Sequence, residues 1–113
     1  MLPKRERLSS EREIRDTINR KQYEKRLPLL YFTAKDNELG FSRLCVVTSK
    51  KLGKATIRNR IRRIFFQAFS EIMHKKAKKH VDMVIFPRSS AIKKKTKEIN
   101  EELMKGLVKE KIC

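Results

Sequence analysis

Two short apolar runs, Leu44 to Thr48 (LCVVT) and Asp82 to Phe86 (DMVIF), bracket one long stretch whose apolar residues recur at helical spacing. Nothing else in the chain constrains its fold as much. A connection long enough to hold a helix brings the second strand back parallel to the first, which a tight hairpin cannot do. Thr56 is the expected N-cap, and the helix is expected to run to about Lys79. Its apolar set is Ile57, Ile61, Ile64, Phe65, Ala68, Ile72 and Met73. On a wheel of ~100° per residue all of these but Met73 share one face roughly 100° wide. Asn59, Arg62, Arg63 and Phe66 fall on the far side, with Arg58 and Arg60 at the two margins.

The flanking segments supply the rest of a small domain. Ser10 and Glu13 form an S-x-x-E capping box that opens a helix to about Asn19, with Ile14 and Ile18 on one face. Gln22 to Arg26 reads as a short strand or a connection. Leu29 to Ala34 (LLYFTA) is rich in strand formers, and Asp36-Asn37 with Gly40 is a turn. Lys95 to about Lys109 is a last helix with Ile99, Leu103 and Leu107 on its core face. The fold class is therefore α+β: a single domain over residues 1–113, with a small mixed sheet, helices packed on it and the order α-β-β-β-α-β-α. Residues 1–8 read as a flexible basic extension.

Charge points to the partner. The chain carries 30 Lys plus Arg against 13 Asp plus Glu, a formal net charge of +17. Self-repulsion of that size opposes compaction unless an anion is bound, either nucleic acid or an anionic membrane surface. The excess is concentrated: no acid lies between Glu38 and Glu71, and Lys50 to Arg63 holds seven basic residues. A helix that needs only solubility mixes signs, because Glu–Lys pairs three or four apart stabilise it. Arg58 and Arg60 are expected in a first turn, where cations oppose the helix dipole. Arginines around a helix N-terminus make a phosphate site.

Other function classes find little support. No apolar run approaches the ~18 residues of a transmembrane helix, and Met1-Leu2-Pro3-Lys4-Arg5 leads into charge rather than a signal-peptide core. Cys45 lies in an apolar run and Cys113 is the last residue given, which makes no disulfide framework and suits a reducing, cytosolic setting. The acids are scattered among different elements, so no carboxylate cluster for Mg²⁺ is evident. His74 and His80 have no clear acid partner nearby in the sequence, and Cys45 has no neighbouring base. A catalytic residue is therefore not expected in this chain. The clusters Lys75, Lys76, Lys78, Lys79 and Lys93, Lys94, Lys95, Lys97 suit either nonspecific RNA contact or solubility.

The loop and helix together carry a longer pattern: Ser49, Lys50, Lys51, Gly53, Ala55, Arg58, Asn59, Arg60, Arg62, Arg63 and then Phe69. This string resembles the signature S-K-K-x-G-x-A-x-x-R-N-R-x-[KR]-R of the protein subunit of bacterial ribonuclease P. The likeness extends to Arg7-Leu8 and to Asp82 to Arg88. It implies a ribonucleoprotein endonuclease whose RNA subunit holds the catalytic site and its Mg²⁺, the protein itself binding no cofactor. It also implies a left-handed crossover in the strand–helix–strand unit, an exception to the usual preference. The implied partners are the catalytic RNA and precursor tRNA, in the bacterial cytoplasm, with no membrane and no obligate protein partner. RNA contact is expected from Lys50, Lys51, Lys54, Arg58, Asn59, Arg60, Arg62, Arg63 and Phe66. Phe66 stands where the family usually has a basic residue. It either forfeits a phosphate contact, stacks on a base, covers a partner chain or simply packs. The 5′ leader of the precursor is expected in a cleft lined by Ile14, Ile18 and Phe32, where the two isoleucines serve equally well as ordinary core. Two other classes remain open from the residues: a structural RNA-binding protein of ribosomal type, and an independent nuclease.

Overall fold

The structure, a computed structural model, describes residues 4–113. Three helices and four strands follow in chain order: α1 (Glu11–Asn19), β1 (Tyr23–Arg26), β2 (Leu30–Asp36), β3 (Arg43–Val46), α2 (Ala55–Lys76), β4 (Val81–Pro87) and α3 (Thr96–Lys109). The sheet order is β1-β2-β4-β3. β3 and β4 pair in parallel around α2, as the strand–helix–strand pattern requires. β4 also pairs antiparallel with β2. The segment after Asp36 is thus no hairpin, because β4 inserts between β2 and β3. Gln22 to Arg26 resolves into a strand at the edge.

Alternation assigns the two faces of the sheet. Leu30, Phe32 and Ala34 of β2, Leu44 and Val46 of β3, and Val81, Met83 and Ile85 of β4 join α2 and α3 in one core. Tyr31, Thr33 and Lys35 face the other way with their cross-strand partners Phe86, Val84 and Asp82. On that face sits α1. Ser10 caps it by accepting from the Glu13 N–H at 3.4 Å. The reciprocal half of the capping box is replaced by a tertiary contact, since the Glu13 carboxylate accepts from Arg43 at 2.7 Å.

Ion pairs seat α1. Arg43 donates from Nε and Nη2 to the two oxygens of Asp82 at 2.9 and 2.7 Å, and Asn37 donates to the same carboxylate. Asp82 is 3% exposed. The hydrogen bonds that Arg43 donates to Asp82 raise its pKa against the cost of its burial. Lys35 pairs with Asp16 of α1 and holds that carboxyl below the usual range.

Residues 4–8 correct the expectation of a flexible extension; Met1 to Pro3 lie outside the described residues. The Leu8 N–H donates to Leu44 O at 2.9 Å and Arg7 bridges Leu44 in parallel, so the segment covers the open edge of β3. Edge strands left bare are liabilities, which is the physical gain from this docking. Leu8 is buried, and so is Glu6, whose carboxylate meets His74 Nε2 at 2.9 Å. His74 therefore has the acid partner that the sequence did not reveal.

α2 starts two residues before the expected position. Lys54 occupies the N-cap, Thr56 lies inside the first turn, and the helix ends at Lys76 rather than Lys79. Its buried stripe is Ile61, Ile64, Phe65, Ala68, Phe69 and Met73, while Ile57 and Ile72 are only half-buried. The stripe is broader than one face because α2 meets the sheet on one side and α3 on another, and the Glu6–His74 contact closes over the Met73 side.

Gly106, inside α3, marks a close approach. A Cβ there would lie 2.7 Å from Leu27 Cδ1 and 2.9 Å from Cε2 of the fully buried Phe32. An exposed helical glycine gains up to ~1 kcal/mol on replacement by Ala. Here Gly106→Val is expected to destabilise the protein by about 1–3 kcal/mol through overpacking. A lower urea midpoint with unchanged slope is the expected readout, and an unchanged midpoint contradicts the close packing.

Candidate nucleic-acid interface

The basic segment enters α2 through a short 3-10 turn at Lys50–Leu52 and Gly53, whose φ of +129 places it where side chains are strained. Lys50, Lys51 and Lys54 are exposed on this entry. The N-cap Lys54 makes no side-chain capping bond, and the first turn of α2 contains no acid. The free N–H groups of that turn, with their share of the helix dipole, face outward uncompensated.

The arginines leave the helix in different directions. Arg58 and Arg62, one turn apart, are both half-buried, and Arg62 leans toward the β3 side. Arg62 donates to Thr48 Oγ1 at 2.6 Å and to Asn59 Oδ1 at 2.7 Å. Asn59 thus orients an arginine. The Arg58 Nε is buried without a hydrogen-bond partner among the described residues. Arg63 is exposed, and Arg60, on the far side of the axis, donates to the Ile92 carbonyl at 3.1 Å. Because the helix begins early, Arg60 sits in the second turn, and the first-turn argument applies to Arg58 alone. Among the described residues, Lys50, Lys51, Lys54, Arg58, Arg60, Arg62 and Arg63 form no salt bridge, whereas Arg15, Arg20, Lys35 and Arg43 near α1 are all paired. Phe66 does not stand free on a far face. It is half-buried and packs against the main core.

The opposite face of the sheet carries α1. Glu13 and Asp16 turn one flank of α1 toward Lys35, Arg43 and Asp82. At ~100° per residue, Ile14 and Ile18 occupy the other flank, and both are half-buried. The same face of the sheet carries Tyr31 and Phe86, whose rings lie 5.5 Å apart, with the Arg26 guanidinium 4.8 Å over Tyr31. Half-buried Cys45 and exposed Val47 continue that face toward α2. Burial pushes the Cys45 thiol up, with Arg62 pulling the other way.

Phe32 is a correction. It is fully buried on the α3 side of the sheet, against Gly106, and cannot line the cleft. Its neighbour Tyr31 is the residue on the α1 side of the sheet. A signal existed in the sequence: the series Tyr31, Thr33, Lys35 is more polar than Leu30, Phe32, Ala34, and the more polar series belongs on the less buried face. Phe86, Cys45 and Val47 were also missed, since only the sheet register brings them beside Tyr31.

Among the described residues no group of three or more His, Cys, Asp or Glu side chains is placed to hold a metal ion. No described helix is long and apolar enough to cross a membrane.

Comparison with known proteins agrees over nearly the full length. A family model described as Ribonuclease P matches residues 2–111. The ribonuclease P protein component of Clostridium botulinum (strain Langeland) is 33% identical over 107 residues, covering 94% of this chain and 95% of the relative. That of Alkaliphilus oremlandii is 30% identical over 94 residues, covering 80% and 82%. Among solved structures, the Staphylococcus aureus RNase P protein superposes with a TM-score of 0.82 at 24% identity, covering 95% of this chain and 96% of the other. The Thermotoga maritima RNase P protein gives 0.78 at 24% identity, covering 88% and 93%. At these identities the structural likeness speaks for the fold.

Proposed function

The chain belongs to the ribonuclease P protein component family, and from that premise we propose that it serves the holoenzyme as an RNA-binding subunit with two tasks. The basic end of α2 docks on the catalytic RNA and neutralises its phosphates. The cleft between α1 and the sheet holds the 5′ leader of precursor tRNA. Cleavage at the mature 5′ end is then the work of the RNA subunit with its Mg²⁺, in the bacterial cytoplasm.

One observation supports this reading: the basic end of α2 lies against the end of β3. Arg62 reaches from α2 to Thr48, just past the end of β3, beside Cys45. A single strand leaving the cleft therefore runs directly onto unpaired arginines. Tyr31 and Phe86 offer π-faces for unpaired bases, and such stacking tolerates any base because every base has one. Arginine forks suit phosphate oxygens, which position RNA without reading its sequence. The same charge logic makes the protein matter most when Mg²⁺ and salt are low, since other cations otherwise screen the same phosphates.

The test is cleavage of a 5′-extended precursor tRNA at low Mg²⁺ by protein, by a bacterial ribonuclease P RNA, and by both. Only the combination is expected to cut efficiently. Cutting by protein alone points to a nuclease site of its own. No help to the RNA leaves a structural RNA-binding protein. Within the active mixture, Tyr31→Ala is expected to weaken precursor binding by about 5- to 100-fold, the equivalent of one lost base stack of ~1–3 kcal/mol, with mature tRNA binding unchanged. Equal losses for both tRNAs remove the ring from the leader path.

A further inference from the structure

The acids of this chain leave two long gaps, residues 39–70 and residues 83–97, and these are its two longest acid-free stretches. The first holds the arginines of α2. The second holds Arg88, Lys93, Lys94, Lys95 and Lys97. Far apart in the chain, they are joined where Arg60 of α2 donates to the Ile92 carbonyl at 3.1 Å. Resting on the RNA-binding reading above, we propose that Lys93, Lys95 and Lys97 form a second phosphate-binding patch for the same RNA, continuous with the basic end of α2, and that Arg60 is the residue that positions it.

A lysine run is by default a solvated face, and two features separate this one from that default. The first is that its backbone is held in place. Arg88 N–H donates to Leu29 O at 3.0 Å, Ser90 Oγ donates to Pro28 O at 2.5 Å, and Ala91 is fully buried beneath the turn. Ile92 and Lys94 close the turn through their N–H groups on Ser89 and Ala91. Lysines on a fixed support lose less freedom on meeting phosphate than lysines on a tail. The second is that three of the four lysines are uncommitted. Lys94 pairs with Glu98 at 3.6 Å, whereas Lys93, Lys95 and Lys97 are exposed and make no salt bridge among the described residues.

Geometry also assigns the division of labour around α2. Arg62 leans toward β3, and Arg60 leaves the helix on the side of the 88–95 segment. One donor of its fork is committed to Ile92, and the others remain able to meet a phosphate oxygen. An RNA surface that follows the cleft edge across the start of α2 therefore continues onto the start of α3. The bound RNA neutralises charge on both sides of the helix.

Salt dependence of binding measures the claim, because each neutralised phosphate contributes about 0.7–0.9 to the slope of log K against log salt. The probe is a transcribed bacterial ribonuclease P RNA. The variant Lys93→Ala/Lys95→Ala/Lys97→Ala is expected to lower that slope by about 2 to 3. Lys75→Ala/Lys105→Ala/Lys109→Ala removes the same charge at the other end of the helices and is expected to leave the slope nearly unchanged. Arg60→Ala, in the free protein, is expected to speed amide exchange at Ile92 and Lys94, a readout that loss of a phosphate contact alone does not move. If the slope is unchanged in the first variant while Arg58→Ala/Arg63→Ala lowers it, the second patch is wrong and the RNA-binding reading stands. If neither lowers it, both fall. Equal losses in the first variant and the remote one reduce the effect to net charge and overturn the patch.

Discussion

Arg58→Ala, Arg62→Ala and Arg63→Ala together are expected to weaken binding to the catalytic RNA by 100-fold or more at physiological salt, and to flatten its salt dependence by about 2 to 3 in slope. The magnitude follows from what these side chains lack within the protein. None has a carboxylate partner among the described residues, and the first turn of α2 beside them has neither an acid nor a side-chain cap. A charge-assisted hydrogen bond is worth roughly 1.5–3 kcal/mol, so three lost phosphate contacts exceed a factor of 100 comfortably. Binding measured across a salt series, with far-ultraviolet circular dichroism to confirm the fold, decides the matter. A parallel downward shift with unchanged slope would mean that the arginines shape the protein rather than meet phosphate.

The second large effect concerns folding. Asp82→Ala is expected to destabilise the protein by about 3 kcal/mol or more. Asp82 is 3% exposed, and its two oxygens take both arms of Arg43 plus the Asn37 amide. Removing it leaves a half-buried guanidinium with Glu13 as its remaining acid. Breaking a buried pair from one side costs far more than the pair contributes net, because the stranded charge keeps its desolvation penalty. The loss extends to function, since Arg43 also holds Glu13 and so seats α1 over the sheet. Urea unfolding is the measurement. A change under about 1 kcal/mol, the range of exposed pairs, contradicts the burial of this network.

Much of the architecture was legible in the residues. Helical periodicity between two apolar runs made a parallel strand pair around α2, and that pair is present. The Ser10 cap, the core residues of α3 and the order of elements came from equally local signals. So did the functional segment, because a long acid-free stretch is a property of sequence alone. The start of α2 was misplaced by a local rule. Thr56 is a good cap by type, yet Gly53 turns the chain early and Lys54 takes the cap position without a side-chain bond.

What the residues could not decide was every question of which groups meet across distance. Residues 4–8 read as solvated charge, because nothing local shows that Leu8 will cover the edge of β3 and Glu6 will meet His74. In LLYFTA the two alternating series differ only through Tyr31 and Thr33, a weak signal, and a slip of one exchanges every side chain between faces. Pairing with β4 settled it, placing Phe32 in the core and Tyr31 on the opposite face of the sheet. The sequence by itself determined the concentration of positive charge and, to within a few residues, the helices and strands, since charge and periodicity are local. Only the tertiary structure decided that the arginines of α2 adjoin the end of β3 and that the two acid-free stretches meet at Arg60, because those contacts join residues far apart in the chain through the sheet register and the packing of α2 on it.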